Sequence, residues 1–363
     1  MTEKEIEIKI QQKIESLFNE IGFIKSNKII FGQRIGNFSI DIIVEAQVKN
    51  TDIKFIIEIK SPGEPKQIRG AIQQLREYAE ILENDGLNII TRTTEQKIYR
   101  IVAAPYITED SAQICKKNGV GYIDLAGNCS LRFEEVFIEF KNYPNPYKEK
   151  RIVRSIFTPK ASRILRVMLS NPKKSWQVQE LAKAANVSLG QAYKVKERLL
   201  SLEYAGEDKK SIVLKQPDNL LLKWADYYDF RKNKLYDYFA FGEPGEVEQK
   251  IGEYCEKNGI VYGLTLFSGA ERVAPHSRYT RSFVYIKERR QELVNSLKLK
   301  EVESGPNVTI LEPYDDGILY GLKEINGIKV VCDIQLYIDL FSYKGRGDEA
   351  ANFLLEQRIK PQW

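Results

Sequence analysis

The sequence has little of what thiol, disulfide and histidine chemistry require. Its 363 residues include four cysteines, none of them in a CxxC spacing, and one histidine, His276. This scarcity argues against a zinc ribbon, a disulfide framework and any mechanism that needs histidine as base or repeated metal ligand. Catalysis by this chain would therefore depend on carboxylates and lysines.

Long apolar runs are absent as well. No run reaches the roughly 18 to 20 apolar residues that span a bilayer, and the N-terminal MTEKEIEIKIQQ lacks the apolar stretch of a secretion signal. The sequence thus predicts a cytoplasmic protein with no membrane partner. Hydrophobic residues make up 43% of the chain and charged residues 29%, which is enough for a folded core, and the length favours two or three domains.

Positive charge is concentrated in one part of the chain. The whole chain has a net charge of +5, whereas residues 158–215 contain 12 Lys or Arg and five Asp or Glu, a local charge of +7. A basic segment inside a nearly neutral chain is typical of nucleic-acid binding.

The pattern of apolar residues predicts an α/β multidomain chain. In residues 1–145 it predicts an α/β domain, and the proline-containing NYPNPYKEKR at 142–151 marks its end. Residues 152–231 read as a helix-turn-helix with a wing, and residues 232–363 as a mixed α/β domain of unknown role. For the first domain we predict helices at 4–21, 67–82 and 108–118, and strands at 38–46, 53–60, 97–104, 121–125 and 130–140.

Two acidic residues and one lysine stand out in the first domain. Asp41 lies in the apolar strand FSIDIIVEA, and Glu58 and Lys60 lie two residues apart in FIIEIK, so Glu58 and Lys60 project from one face. Two carboxylates can hold Mg²⁺ or Mn²⁺, which polarises a phosphate, while lysine positions or activates a water. The alternative is an exposed Glu–Lys pair on a strand, with Asp41 facing solvent.

These residues resemble the PD-(D/E)XK nucleases, with Asp41 in the D position and Glu58-Ile59-Lys60 as the (D/E)XK element. Gln74 and Tyr78 resemble the QxxxY motif of RecB-like members, which helps to organise the site and contacts DNA. The class also takes a metal ligand from its first helix, for which we nominate Glu7. The resemblance implies a restriction-endonuclease-like fold and Mg²⁺- or Mn²⁺-dependent hydrolysis of DNA.

The basic segment has the pattern of a winged helix-turn-helix. SWQVQELAKAANVSLGQAYKVKERLLSLEYAG predicts a helix, a short turn and a recognition helix that begins at Ser188, followed by the wing GEDKKSIVLK. An ordinary solvated helix pair and a dimerisation wing are the alternatives. The candidate DNA contacts are exposed polar side chains of the recognition helix and wing: Ser188, Gln191, Tyr193, Lys194, Lys196, Lys209 and Lys210.

Several segments along the whole chain resemble AbiEi-family type IV antitoxins and restriction-like proteins. They are VGYIDLAGN, the helix-turn-helix, SGAERVAP, ILEPYD and LYIDLFSYKGRGDEAANFLL. GRGDEA, within the last of these, is too short to predict a phosphate-binding loop.

Three functions follow from these patterns. The first is a metal-dependent DNA endonuclease in phage defence or restriction. The second is an antitoxin-like repressor that keeps a weak or inactive nuclease fold, and the third is a scaffold whose last domain holds a partner. The expected partners are double-stranded DNA, a second copy of the chain in a homodimer, and a cognate toxin or other defence protein.

Overall fold

The computed structural model describes residues 3–21, 24–35, 38–48, 51–87, 97–146, 156–275 and 278–363. The chain forms two compact units, Met1–Arg151 and Ile152–Trp363. Every helix in the described ranges is too short or too polar to cross a membrane. His276 lies outside the described residues.

The first unit is built on a seven-stranded sheet whose strands follow one another in chain order. Its strands are β1 (Ile24–Ile35), β2 (Phe38–Val48), β3 (Thr51–Ile59), β4 (Lys97–Ala104), β5 (Gly121–Asp124), β6 (Cys129–Phe133) and β7 (Val136–Phe140). Its helices are α1 (Glu3–Glu20), α2 (Pro65–Leu87) and α3 (Glu109–Lys117). The β3–β4 and β4–β5 pairs are parallel and the others antiparallel.

Helices cover both faces of this sheet. Successive residues of a strand point to opposite faces, and accordingly Ile57 packs in the cluster that contains α1 residues, whereas Ile56 packs with α2 and α3. The first unit is therefore a three-layer α/β/α arrangement. The mixed α/β class predicted from the sequence is confirmed.

Two details of this unit differ from the prediction. Strand β1 lies at the sheet edge and was not predicted; its pairing with β2 shifts register between Ser26 and Lys28. The single strand expected at 130–140 is the hairpin of β6 and β7, because Glu134 adopts a φ of 49° and reverses the chain.

The second unit contains a small hairpin and a second seven-stranded sheet of order β13-β10-β14-β12-β11-β16-β15. Its helices are α4 (Pro159–Leu169), α5 (Val178–Ala184), α6 (Leu189–Ser201), α7 (Pro217–Tyr227), α8 (Pro244–Lys257), α9 (Leu266–Val273), α10 (Arg290–Ser296), α11 (Asp333–Phe341) and α12 (Gly347–Leu354), with 3₁₀ or π turns at Phe230–Lys232, Asp316–Leu319, Leu355–Ile359 and Lys360–Gln362. Its strands are β8 (Ala205–Asp208), β9 (Ser211–Leu214), β10 (Lys234–Phe239), β11 (Tyr262–Leu264), β12 (Ser282–Ile286), β13 (Lys300–Glu301), β14 (Val308–Glu312), β15 (Lys323–Ile325) and β16 (Ile328–Val330).

One hydrophobic core runs through this second unit. A continuous cluster of buried apolar side chains joins α4, α5 and α6 to the large sheet and to α11. The division into domains at 152–231 and 232–363 stays a prediction.

Residues 156–216, here named the helix-hairpin segment, comprise α4, α5, α6, β8 and β9. Trp176 exchanges two backbone hydrogen bonds with Ile212 of β9, each 2.8 Å long, and so adds a short third strand to the hairpin. The bridge fixes the hairpin against the chain that precedes α5.

Candidate functional site

Asp41 and Glu58 lie opposite each other on neighbouring strands. In the antiparallel pair β2–β3, Ile42 lies opposite Ile57. The same register, continued by one position, sets Asp41 opposite Glu58, and residues opposite each other point to the same face of the sheet. The Asp41 carboxylate accepts a 2.7 Å hydrogen bond from the backbone N–H of Ile59, which orients it towards the end of β3. The two acidic side chains are therefore neighbours.

Lys60 completes this group at the end of β3. Its ammonium donates a 2.7 Å hydrogen bond to Glu58 Oε1, and its backbone N–H donates to the carbonyl of Ala103 at 2.9 Å. The chain then passes Gly63, where a Cβ would clash with the carbonyl of Tyr106. The absence of a side chain at Gly63 allows the turn after Lys60 to pack closely beneath the site.

Burial makes this carboxylate pair electrostatically unfavourable. Glu58 is only 4% exposed, and its Oε2 is buried without a hydrogen-bond partner. Burial raises the pKa of Glu58, and the neighbouring Asp41 raises it further, against the opposing effect of Lys60. Burial also raises the pKa of Asp41, against the bond from Ile59 and the charge of Lys60. A bound cation would relieve this cost.

Asp124 shows what a structural buried carboxylate looks like in the same unit. It accepts four hydrogen bonds: from the backbone N–H groups of Ile107, Gly127 and Asn128, and from the side-chain amide of Asn128, at 2.8 to 3.1 Å. It therefore caps the turn at Gly127 and Asn128. Glu58 differs from Asp124, because its Oε2 is buried without a hydrogen-bond partner among the described residues.

Helix α2 brings Tyr78 to the same group. The Tyr78 hydroxyl donates to the carbonyl of Ser39 at 3.2 Å. Burial raises the pKa of Tyr78 to about 12, with further contributions from the nearby charges of Glu58 and Asp41. Gln74 is half-buried one turn earlier on α2. The structure thus gathers Asp41, Glu58, Lys60 and Tyr78, with Gln74 beside Tyr78 on the helix.

The nomination of Glu7 from a helical wheel is not supported by the geometry. The buried stripe of α1 is Ile6, Ile10, Ile14 and Phe18, whereas Glu7 is exposed. This stripe packs on the face of the sheet that carries Ile57, while Glu58, one residue later, belongs to the opposite face. The structure does not bring Glu7 to Asp41 and Glu58, because the intervening sheet separates them.

The donor set fits a hard divalent cation with few protein ligands. Among the described residues no group of three or more His, Cys, Asp or Glu side chains is arranged to hold a metal ion. Mg²⁺ commonly keeps several waters and binds through one or two carboxylates. The unpartnered Glu58 Oε2 and the adjacent Asp41 carboxylate meet this requirement, and these two residues would hold the ion.

Gln67 is a polar residue of α2 that the sequence analysis missed. Its Oε1 is buried without a hydrogen-bond partner. It precedes Gln74 by seven residues, so Gln67, Ala71, Gln74 and Tyr78 form one stripe of the helix. That spacing from the QxxxY pair was the signal in the sequence that pointed to it.

A second candidate site is the exposed face of α6. Ser188 is the N-cap, and its hydroxyl accepts a 3.2 Å hydrogen bond from the backbone N–H of Gln191. Tyr193 is 49% exposed and Lys194 is also exposed. Ala192, Val195 and Leu199 turn inward. The helix therefore presents polar, cationic and aromatic side chains on one solvated face.

Lys196 does not belong to this exposed face, contrary to the sequence-based selection. It is 7% exposed, and its ammonium forms a 2.6 Å ion pair with Glu207 of β8. Lys196 therefore ties α6 to the hairpin. Because the partner comes from a different element, a helical wheel of α6 alone does not reveal the pairing.

Lys209 and Lys210 form the exposed tip of the hairpin. Asp208 pairs with Ser211, which leaves a two-residue turn in which both lysines have left-handed φ values of 46° and 72°. A turn of this type favours Asn and Gly, which adopt positive φ at little cost. Two lysines here place two cations at the tip at some expense of stability.

Two other cations of the basic segment are directed into the second unit. Arg163 forms a bidentate ion pair with Asp315, with N···O distances of 2.8 Å. Arg166 is fully buried and donates to Gln335 at 2.8 Å. The charge of +7 counted along the sequence therefore exceeds the charge available to a ligand outside the unit.

The C-terminal part of the chain is similar to a known protein family. Residues 213–360 match a family model described as "Transcriptional regulator, AbiEi antitoxin, Type IV TA system". The match begins in the last part of the predicted 152–231 domain, covers most of the 232–363 region that had no predicted role, and confirms the AbiEi resemblance there. Fewer than half of the 363 residues are matched. The resemblance before residue 213 and the PD-(D/E)XK assignment stay predictions.

Similarity to solved structures is weak. Three chains, from "Structure of EndoMS-dsDNA2 complex", "crystal structure of a repair endonuclease from Pyrococcus abyssi" and "Structure of EndoMS in apo form", are each 18% identical over 32% of this chain, with a TM-score of 0.22. The chain spans 43%, 46% and 45% of their lengths respectively, less than half in each case. At this TM-score the similarity carries no argument. No curated protein matches the chain.

Proposed function

We propose that the chain is a DNA-binding transcriptional regulator of the antitoxin type, in which the helix-hairpin segment is a winged helix-turn-helix. The observation that carries the proposal is the exposed face of α6, with Tyr193 and Lys194, beside a hairpin tip made of Lys209 and Lys210. In winged helix-turn-helix proteins the second helix of the motif reads the major groove, while cations on neighbouring elements bind phosphates.

The fold of the helix-hairpin segment favours this role over that of a solvated helix pair. Ser188 caps α6, Lys196 and Glu207 join α6 to the hairpin, and Trp176 bridges to Ile212. These contacts hold the helix and the hairpin tip in one arrangement. Such preorganisation lowers the entropic cost of binding a rigid duplex.

The antitoxin assignment rests on the family match in the same unit. The matching family is described as an antitoxin of a type IV system, and on this proposal a cognate toxin is a partner of the chain. Double-stranded DNA is the second partner. A homodimer would present two α6 helices to a two-fold symmetric site.

Binding to duplex DNA tests the proposal. We expect the full chain to bind a labelled duplex from the region upstream of its own gene, measured by fluorescence anisotropy over a range of salt concentrations. Replacing Lys194 by alanine should weaken binding about tenfold and make the slope of log K against log salt shallower by about 1, because one phosphate contact is lost.

The matched control is Lys257→Ala, which removes an exposed lysine at the end of α8. It should leave affinity and salt slope unchanged. Failure to bind the upstream duplex, or an affinity that Lys194→Ala does not alter, would exclude α6 as the reading element.

The group at Asp41, Glu58 and Lys60 favours a second candidate function, metal-dependent hydrolysis of DNA. The observation behind it is the buried Glu58 Oε2 without a partner, on a strand position opposite Asp41 and on the same face of the sheet. A divalent ion held by the two carboxylates would polarise a phosphate and lower the pKa of a bound water.

The chain's own residues would complete that chemistry. Ile59 orients Asp41 through its backbone N–H, and the ammonium of Lys60 contacts Glu58. On this proposal Lys60 positions the attacking water or binds the phosphate, and Tyr78 with Gln74 supports the strand end from α2.

Metal binding can be measured apart from cleavage. Because the pKa values of Asp41 and Glu58 are raised in the folded chain, their carboxylates are more fully charged as pH rises, and protons compete less with a cation. We expect 5 mM Mn²⁺ to raise the midpoint of unfolding of the first unit by about 2 to 5 °C at pH 8 and by less at pH 5, measured by calorimetry.

Glu58→Gln should abolish the Mn²⁺ effect, whereas Glu45→Gln, on the same strand as Asp41, should retain it. Supercoiled plasmid should be nicked with Mn²⁺ or Mg²⁺ but not with EDTA, and Lys60→Ala should lower the rate at least about 100-fold. A Mn²⁺ shift without cleavage would restrict the group to metal binding, and the absence of both would reject the candidate.

A further inference from the structure

A cationic and aromatic pocket lies in the second unit, and its described lining includes none of the residues assigned to DNA. Its volume is about 310 Å³, within the range of small-molecule sites. Residues 278–281 line one side, residues 343–346 another, and Phe267 and Phe283 contribute further aromatic surface. Its described lining contains four cations, four aromatic rings and no acidic residue.

Three of the four cations are available to bind an anionic ligand. Arg281 is already paired, with Asp237 and, at 2.6 Å, with the hydroxyl of Thr309. Arg278, Lys344 and Arg346 are exposed and form no ion pair with any residue in the described ranges. Three unneutralised cations around one concavity create a strong positive potential, and arginine forks match phosphate oxygens in bidentate geometry.

The aromatic side of the pocket is rigid. Tyr343 is half-buried, and its ring centroid lies 5.2 Å from that of Phe267 and 5.9 Å from that of Phe283, both in edge contact. Tyr279 donates its hydroxyl to the fully buried Glu248 at 3.0 Å. Phe267, Tyr279 and Tyr343 are only half-buried, so part of each ring is open for an aromatic base to stack on without a further loss of side-chain entropy. Phe283 is buried and supports Tyr343 from within the unit.

The two glycines of GRGDEA explain how the chain makes this pocket. Gly345 has a φ of 98°, a conformation that other residues rarely adopt. At Gly347 a Cβ would clash with the carbonyl of Leu340, so the chain returns against α11 only without a side chain there. Lys344 and Arg346 consequently line the same pocket. Asp348, just beyond it, is bound to the backbone N–H of Glu349.

We propose that this pocket binds a nucleoside polyphosphate, with the phosphates on Arg278, Lys344 and Arg346 and the base against the aromatic rings. An inorganic anion would use the cations but not the rings, and an apolar ligand would leave three charges unpaired. The combination of both features in one pocket selects a ligand that has a charged end and a flat aromatic end.

Calorimetric titration of the full chain in EDTA tests the proposal, since EDTA keeps any metal-dependent cleavage silent. ATP, GTP, CTP and UTP are the probes, beside their four monophosphates, adenosine and inorganic tripolyphosphate. We expect at least one triphosphate to bind, its monophosphate to bind at least about tenfold more weakly, and adenosine to show no binding. Tripolyphosphate should bind at least about tenfold more weakly than the nucleotide, since it lacks the base.

Arg278→Ala and Arg346→Ala should each weaken the nucleotide at least about tenfold. Arg358→Ala, which removes an exposed arginine that does not line the pocket, should have no effect. Tryptophan fluorescence checks that each variant is folded, and Arg346→Glu provides a second, charge-reversing variant at the pocket. Its affinity should fall further than that of Arg346→Ala.

Three outcomes would overturn the proposal. They are no binding of any nucleotide, binding that the pocket variants do not alter, and equal binding of tripolyphosphate and ATP. A short single-stranded oligonucleotide is titrated as a last probe. If it binds in a way that depends on Arg278 while free nucleotides do not bind, the pocket takes a nucleic-acid strand and the proposal is wrong.

Discussion

Replacing Arg166 by methionine should lower the free energy of unfolding of the second unit by about 3 to 5 kcal/mol. Arg166 is fully buried on α4, with its guanidinium 4.9 Å from the centre of the Trp224 ring. Its Nε donates to Gln335 Oε1. Methionine fills similar space but removes the donor, so it leaves the buried oxygen of Gln335 unsatisfied.

Asp339 is a buried carboxylate that is linked to Arg166 through the side chain of Gln335. The amide of Gln335 donates to Asp339 Oδ1 at 2.8 Å, so Gln335 accepts from a cation and donates to an anion. Asp339 also accepts from the hydroxyls of Tyr228 at 2.6 Å and Thr265 at 2.5 Å. Removal of Arg166 takes away the cation that Gln335 links to this buried carboxylate.

The pH dependence of stability reports on Asp339 separately. Burial raises the pKa of Asp339 from 3.8 to about 6, despite the hydrogen bonds that it accepts. The folded chain thus holds this proton more tightly than the unfolded chain. The protonated Asp339 carboxyl therefore adds about 3 kcal/mol to the free energy of unfolding below pH 4. This contribution is lost as pH rises to about 6.

Urea unfolding followed by tryptophan fluorescence measures these effects, because Trp176, Trp224 and Trp363 all lie in the second unit. Asp339→Asn should remove the loss between pH 4 and 6 that the unchanged chain shows. The double variant with Arg166→Met should cost less than the sum of the single changes, since it removes both charges. Additive costs would show that Arg166 and Asp339 do not act as a pair.

This buried network illustrates what sequence patterns do not predict. Periodicity treats charged residues as the exposed face of a helix, and on that basis Arg166 counted towards the basic segment. Its partner Gln335 is 169 positions away, and nothing local to α4 indicates it. Charges buried by contacts between distant segments are invisible to a reading of one helix at a time.

Local signals were nevertheless sufficient for most of the elements. Strand β4 has the predicted bounds, and α1 and α3 differ from the predicted 4–21 and 108–118 by one residue at each end. The recognition helix α6 was predicted to begin at Ser188, and Ser188 is its observed N-cap. Strand β1 was missed because polar residues interrupt IKSNKIIFGQRI and its register shifts, which breaks the alternation of a half-buried strand.

The candidate site was predictable where it depended on strand geometry. Glu58 and Lys60 share a face because they are two residues apart, and the antiparallel hairpin then brings Asp41 opposite Glu58. Glu7 was placed wrongly because its position depends on which face of the sheet α1 covers. That choice is made by tertiary packing of Ile10 and Ile14, which a helical wheel does not contain.

The hairpin tip gives a prediction in which stability and DNA binding move in opposite directions. Replacing Lys209 by asparagine and Lys210 by glycine supplies the residues that a two-residue turn with positive φ favours. We expect the free energy of unfolding of the second unit to rise by about 1 kcal/mol, because two lysines no longer adopt left-handed φ values. Urea unfolding by tryptophan fluorescence measures this change.

The same substitution removes two cations from the proposed DNA surface. We expect the affinity for duplex DNA to fall about 10-fold to 100-fold and the salt slope to become shallower by about 2. The matched control is Lys298→Gly, since Lys298 is also an exposed lysine with a positive φ, of 55°, and lies beyond α10, outside the helix-hairpin segment. It should gain stability without loss of DNA affinity. If the double variant binds DNA with unchanged affinity, the hairpin tip is not part of the DNA interface, and a dimerisation wing is favoured. The salt slope is informative here because it changes only if these lysines contact phosphates.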